Sequence, residues 1–193
     1  LGFKFCTVIV SFVHASIITY FLNFCVSPYG SIIGDVLMAL PRIKFGDVFE
    51  IATSKGLAYF QCVKEAPATE CETIRILPGT YGNIEQANLE NLVNNKELYF
   101  IQLTLKYALK QKCIKLIGNY KVPEHVIVPR YYRSKNMVRG EFVCWHIVDS
   151  ETLQRRSVEK LSDDEKKLSA WGVWNDTLLA ERIAEGWSLD KWI

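Results

Sequence analysis

The sequence predicts an α+β domain in which a bent antiparallel sheet comes first and helices come last. Three observations carry that prediction. Apolar residues recur with period two in short runs from Lys44 onward, turns containing Gly or Pro separate those runs, and helix caps gather near the C-terminus.

The first run, KFGDVFEI (Lys44 to Ile51), places Phe49 and Ile51 on one face and Val48 and Glu50 on the other, which is the pattern of a half-buried strand. TSKG turns the chain, and Gly56 to Glu65 alternates Leu57, Tyr59, Gln61 and Val63 against Ala58, Phe60, Cys62 and Lys64. A turn of about four residues with a Gly makes the pair a hairpin. TIRIL (Thr73 to Leu77) is a short strand stopped by Pro78-Gly79. Leu89, Leu92 and Val93 at helical spacing predict a short surface helix, and LYFIQLTL (Leu98 to Leu105), apolar on both faces, predicts a central strand. A weak helix over Lys106 to Lys112 and a strand over CIKLIGNY come next.

Lys121 to Gly140 reads as an irregular, basic segment, and Glu141 to Asp149 as a strand. In that strand Phe142, Cys144, His146 and Val148 share one face, and Val143, Trp145 and Ile147 the other. Ser162 and Glu165 form a capping box, Asn175 or Asp176 caps a helix burying Leu178, Leu179 and Ile183, and Gly186 ends it. Trp171, Trp174, Trp187 and Trp192 are expected in the core. The preferred architecture is an SH3-like sheet or barrel elaborated by C-terminal helices.

Residues 1–37 stand apart. Lys4 and Asp35 are their only charged side chains, and Phe5 to Val26 has none, a length that as a helix spans about 33 Å. Thr7, His14 and Asn23 interrupt the run, and no cleavage motif comes after it. The chain begins at Leu1, and its first methionine, Met38, opens MALPRIKFGDVFEI. The expectation is an extension upstream of the true start, or else a membrane anchor through residues 5–26, succeeded by one globular domain over 38–193. The cytoplasm is the expected compartment, with an inner-membrane anchor as the alternative.

A net charge of +2 and a pI near 8.2 give no nucleic-acid footprint. Cys62, Cys71, Cys113 and Cys144 lack zinc spacing, and the nucleotide-binding and hydrolase motifs are absent from the sequence. No catalytic, cofactor-binding or metal-binding residue is therefore assigned, and the chain is expected not to be an enzyme. Cys144 and His146, two apart on one strand, leave a Cys/His hydrolase open as an alternative. The stretch from Arg130 to Arg139 interleaves Tyr131 and Tyr132 with arginines, a mixture suited to protein interfaces and also to single-stranded nucleic acid.

Within KFGDVFEIATSKGLAYFQCV, the residues Gly46, Asp47, Val48, Phe49, Ile51, Gly56 and Tyr59 resemble the opening of the immunity protein 26 family of bacterial polymorphic toxin systems. The resemblance covers residues 42–65 best and thins toward Tyr120. It implies a protein that binds and neutralises a cognate toxin, with no catalysis and no small-molecule substrate. Arg130, Tyr131, Tyr132 and Arg133 are the candidate anchors for that toxin. An SH3-like module binding nucleic acid or another protein is the alternative.

Overall fold

The computed structural model describes residues 42–66 and 71–192. The chain divides into two units after Met38, and all described residues belong to the second, Ala39–Ile193. The extension expected over residues 1–37, with its anchor, lies outside the described residues.

The fold is α+β, as expected. Strands β1 (Asp47–Thr53), β2 (Gly56–Lys64) and β3 (Glu72–Ile76) form a meander, and the short helices α1 (Ile84–Ala87) and α2 (Leu89–Leu92) lead to β4 (Phe100–Leu103). Helix α3 (Leu105–Lys110) and β5 (Ile114–Asn119) are next in order. A second sheet consists of β6 (Tyr131–Val138), β7 (Glu141–Asp149) and β8 (Arg155–Val158), and the chain closes with β9 (Val173–Trp174) and α4 (Asp176–Glu185). The first sheet has the order β5-β1-β2-β3-β4-β9 and does not close, so the open bent sheet rather than the barrel is realised. Its pairings are antiparallel except β4 with β9.

Alternation in β1 and β2 builds two cores, one on each face of this sheet. Phe49, Ile51, Ala58, Phe60 and Cys62 pack with Ile74, Ile101, Leu103 and Leu179 of α4. Val48 and Tyr59 pack with Leu89, Leu92 and Val93 beneath the short helices. Burial pushes the Cys62 thiol up to about 12, and Cys62, Cys113 and Cys144 are free thiols.

The residues that carry the family resemblance serve this frame. Asp47 accepts from the Lys44 backbone N–H at 2.8 Å and from Asn119 Nδ2 at 2.9 Å. Gly56 ends the two-residue turn at a φ of +122°, where a Cβ would stand 2.6 Å from the Tyr81 carbonyl oxygen. The close approach is built in, because Leu57 and Tyr81 exchange both backbone hydrogen bonds. Gly56→Ala is expected to cost about 1–3 kcal/mol. A urea midpoint equal to that of the parent chain would contradict this.

Caps behave as local chemistry requires. Asn175 accepts from the Leu178 N–H at 2.7 Å and Gly186 takes the left-handed conformation, so α4 starts and stops where expected. Leu179 is fully buried, while Leu178 and Ile183 are only partly so. Thr104 makes no side-chain cap for α3; instead buried Glu72 accepts from the Leu105 N–H at 3.1 Å. Ser162 and Glu165 do form the reciprocal box, but it starts only a single 3-10 turn, Glu165–Lys167. The helix cannot continue because the chain becomes extended at Leu168, and the Ser169 carbonyl then accepts from the Arg133 N–H.

The largest correction concerns Lys121 to Gly140, expected to be irregular. Its second half is β6, paired over eight positions with β7. Arg139 and Gly140 both have positive φ (52° and 87°), which makes the connection a type I′ turn. Strands β8 and β9 also went unanticipated. Among the described residues no helix is long and apolar enough to cross a membrane.

Candidate functional site

The candidate anchors lie on β6 or just before it, and strand geometry separates them. Tyr131 is exposed, and Arg130 leans over its ring at 5.6 Å. Arg130 also pairs with Asp149 at 2.8 Å and with Glu151 at 3.5 Å. The hydrogen bond from Arg130 is the main reason the Asp149 carboxyl lies below the usual carboxylate range.

Tyr132 and Arg133 are turned inward, contrary to their expected role at the surface. Tyr132 packs on Val63, Phe100 and Trp171, joining the second sheet to the first, and burial raises its phenol to about 12. Arg133 is fully buried: Nε donates to the Leu168 carbonyl at 3.1 Å and Nη2 to the Leu189 carbonyl at 2.6 Å. Its guanidinium lies 5.2 Å from the Trp145 ring centroid and 5.0 Å from that of Trp192. Burial, opposed by the field of Asp190, lowers its pKa.

The second sheet exposes the outer half of its hairpin. Met137, Val138, Phe142 and Val143 are between 46% and 52% exposed, on two adjacent strands. A bulge skips Val143 in the pairing, so Asn136 faces Cys144 while Met137 faces Phe142. The extra residue moves Phe142 onto the face of Trp145, whose ring it meets at 5.7 Å. The expected grouping of Phe142 with Cys144 and His146 is thereby corrected.

The opposite face carries a polar row. Ser134, His146 and Ser157 are aligned across the three strands, and Ser157 Oγ lies 3.2 Å from His146 Nδ1. Asn136 Nδ2 donates to Cys144 Sγ at 3.6 Å. These groups are half-exposed or exposed, and no cluster of three or more His, Cys, Asp or Glu suited to a metal occurs among the described residues.

A cleft of about 480 Å³ opens at the other end of the sheet, between β7, β8 and the 3-10 turn. Ile147 and Leu168 form its apolar floor and Tyr131 one wall. Arg156 and Glu165 pair across it at 2.6 Å. Glu165 is held below its ordinary pKa first by the Ser162 backbone N–H and then by Arg156.

Sequence reading missed the exposed hairpin, although NMVRGEFV carried a signal for it. A two-residue Arg-Gly turn joins two apolar pairs, and Arg stands where Asn or Asp usually marks a type I′ turn. No family model, curated protein or solved structure matches the chain.

Proposed function

We propose that the chain is a protein-binding module of the immunity kind, which docks on a cognate toxin and blocks it without catalysis. The observation that carries the reading is the β6–β7 hairpin, which presents Met137, Val138, Phe142 and Val143 to solvent on a rigid, paired frame. Apolar side chains gathered on one projecting element are uncommon on the free surface of a monomer and mark interaction sites. Preordered strands also lower the entropy lost on docking.

The nucleic-acid reading is weaker. Of the cations expected along this stretch, Arg133 is buried and Arg130 is engaged by two carboxylates. A membrane-inserting tip is also disfavoured, since Arg139, Gly140 and Glu141 occupy the extremity and the apolar residues flank it. The SH3-like description and the toxin as partner rest on the resemblance in β1 and β2.

Co-expression with the toxic product of a neighbouring gene tests the proposal. The parent chain is expected to restore growth and to co-purify with the toxin. The double variant Met137→Asp, Val143→Asp is expected to keep its circular dichroism spectrum and lose affinity by at least about a hundredfold, a scale set by truncation at interface centres. Cys144→Ala is expected to protect as well as the parent. A neighbour that is harmless, or a hairpin variant that protects fully, would overturn the reading.

A further inference from the structure

The sheet of β6, β7 and β8 is enclosed on both faces at its base and on neither at its tip. At the base, Trp145 and Ile147 pack with Leu161, Leu168 and Trp192, while Tyr132 on the opposite face packs with Val63, Phe100 and Trp171. Strand β8 ends at Val158, opposite Trp145, and among the described residues no third strand flanks the ribbon beyond that point. From Lys135, the partner of Trp145, to Val138 the two strands run on for about 10 Å, at roughly 3.4 Å per residue. Every residue from Met137 to Val143 is exposed. The apolar side chains there divide between the faces. Met137 pairs with Phe142, whose ring meets Trp145 at 5.7 Å, so both stand on the Trp145 face. Val138 and Val143 each adjoin one of that pair and by alternation point the other way.

Resting on the reading of the chain as a protein-binding module, we infer that the tip of this ribbon enters a cleft of the partner that has an apolar wall on each side. A flat partner covers one face and reaches Met137 and Phe142, or Val138 and Val143, but not all four. Two side chains near half exposure offer on the order of 200 Å², against about 800 Å² from each side of a standard interface. The same shortfall disfavours a second copy meeting the tip face to face. A cleft whose walls pack on the ribbon at the roughly 10 Å spacing of stacked sheets covers both faces and the turn together. The turn suits entry, because Arg139 and Gly140 make a two-residue connection, the narrowest common end of a ribbon. A ribbon seated in this way fills space that a substrate needs, which accounts for neutralisation without catalysis.

The test titrates the full chain with the purified product of the neighbouring gene, read by calorimetry. Met137→Asp and Val138→Asp place the same charge on adjacent residues of one strand, on opposite faces. Each variant is expected to keep the parent's circular dichroism spectrum and to weaken binding by at least about tenfold. A loss from one variant with less than about a twofold change from the other shows docking on a single face and overturns the inference alone. Absence of any complex overturns it together with the immunity reading. The parent chain is expected to sediment as a monomer at micromolar concentration and to stay off phosphatidylglycerol vesicles. A dimer dispersed by both variants would give the tip to a second copy, and vesicle binding abolished by both would give it to a membrane; either result overturns the inference.

Discussion

Arg75→Met is expected to destabilise the chain by about 3–5 kcal/mol, the range for stripping one member from a buried charged network. Arg75 has no exposed surface. Its Nε and Nη2 donate to Gln61 Oε1 at 2.9 and 2.6 Å, Nη2 also reaches the Val93 carbonyl at 2.5 Å, and Nη1 reaches the Asn95 carbonyl at 3.3 Å. Gln61 in turn donates to the carbonyls of Gly46 and Tyr120 at 3.1 and 2.8 Å. One connected set of polar groups therefore ties β2 and β3 to the end of α2 and to the one end of the antiparallel β1–β5 pair where Gly46 and Tyr120 meet. Burial lowers the Arg75 pKa and the field of Glu97 opposes the shift, yet an arginine this far above neutrality stays charged. Methionine fills most of the space, so the loss measures stranded acceptors rather than a cavity.

The accompanying fall in thermal midpoint is on the order of 10 °C for a chain of this size. A double-mutant cycle adds a sharper check. Gln61→Leu combined with Arg75→Met is expected to cost less than the two single losses together, by about 1–2 kcal/mol, because each single change strands the other partner. Strict additivity, or an Arg75→Met loss below about 1 kcal/mol, would show that the network is not what holds these strands.

The features legible in the sequence were those with local causes. The β1–β2 hairpin came from period two and a glycine turn, and α4 from Asn175 and Gly186, because each signal acts within a few residues. Strands β6, β8 and β9 were not legible, because partners distant in sequence make them. Arg133 is fixed as strand by Ile147 on one side and by Ser169 and Trp171 on the other, while β8 is an exposed edge with no apolar alternation. Phe142 changed face through a bulge that no alternation rule contains.

The buried polar network left a faint trace in the sequence. Gln61 falls on the face of Leu57, Tyr59 and Val63, where a lone amide among apolar residues already asks for a buried partner. For the candidate site, the stretch that drew attention in the sequence contains β6, and two of its four named residues, Tyr132 and Arg133, are buried. The sequence located the mixture of Arg and Tyr but could not tell which side chains pointed inward, since that depends on what packs against each face.

Arg133 gives the decisive comparison between those two roles. If it were an interface anchor, Arg133→Met would weaken partner binding and leave stability alone. Its buried position leads to the opposite expectation: a loss of about 3 kcal/mol, from two charged hydrogen bonds to carbonyls and two contacts with indole rings. The site of failure is also specified. Leu189 and Trp192 are held to the second sheet by Arg133 and Trp145, and Trp192 meets the Trp145 and Trp187 rings at 5.2 and 5.8 Å. Releasing that segment is expected to speed proteolysis after Gly186 and to shift tryptophan emission to the red before the first sheet unfolds. Arg130→Ala serves as the contrast. Its side chain is half exposed and Asp149 keeps the N–H groups of Glu151 and Thr152 as partners, so a thermal midpoint closer to that of the parent chain is expected. Equal losses from the two variants, or an Arg133→Met chain with an intact C-terminal segment, would return Arg133 to the surface role that its neighbours in sequence first suggested.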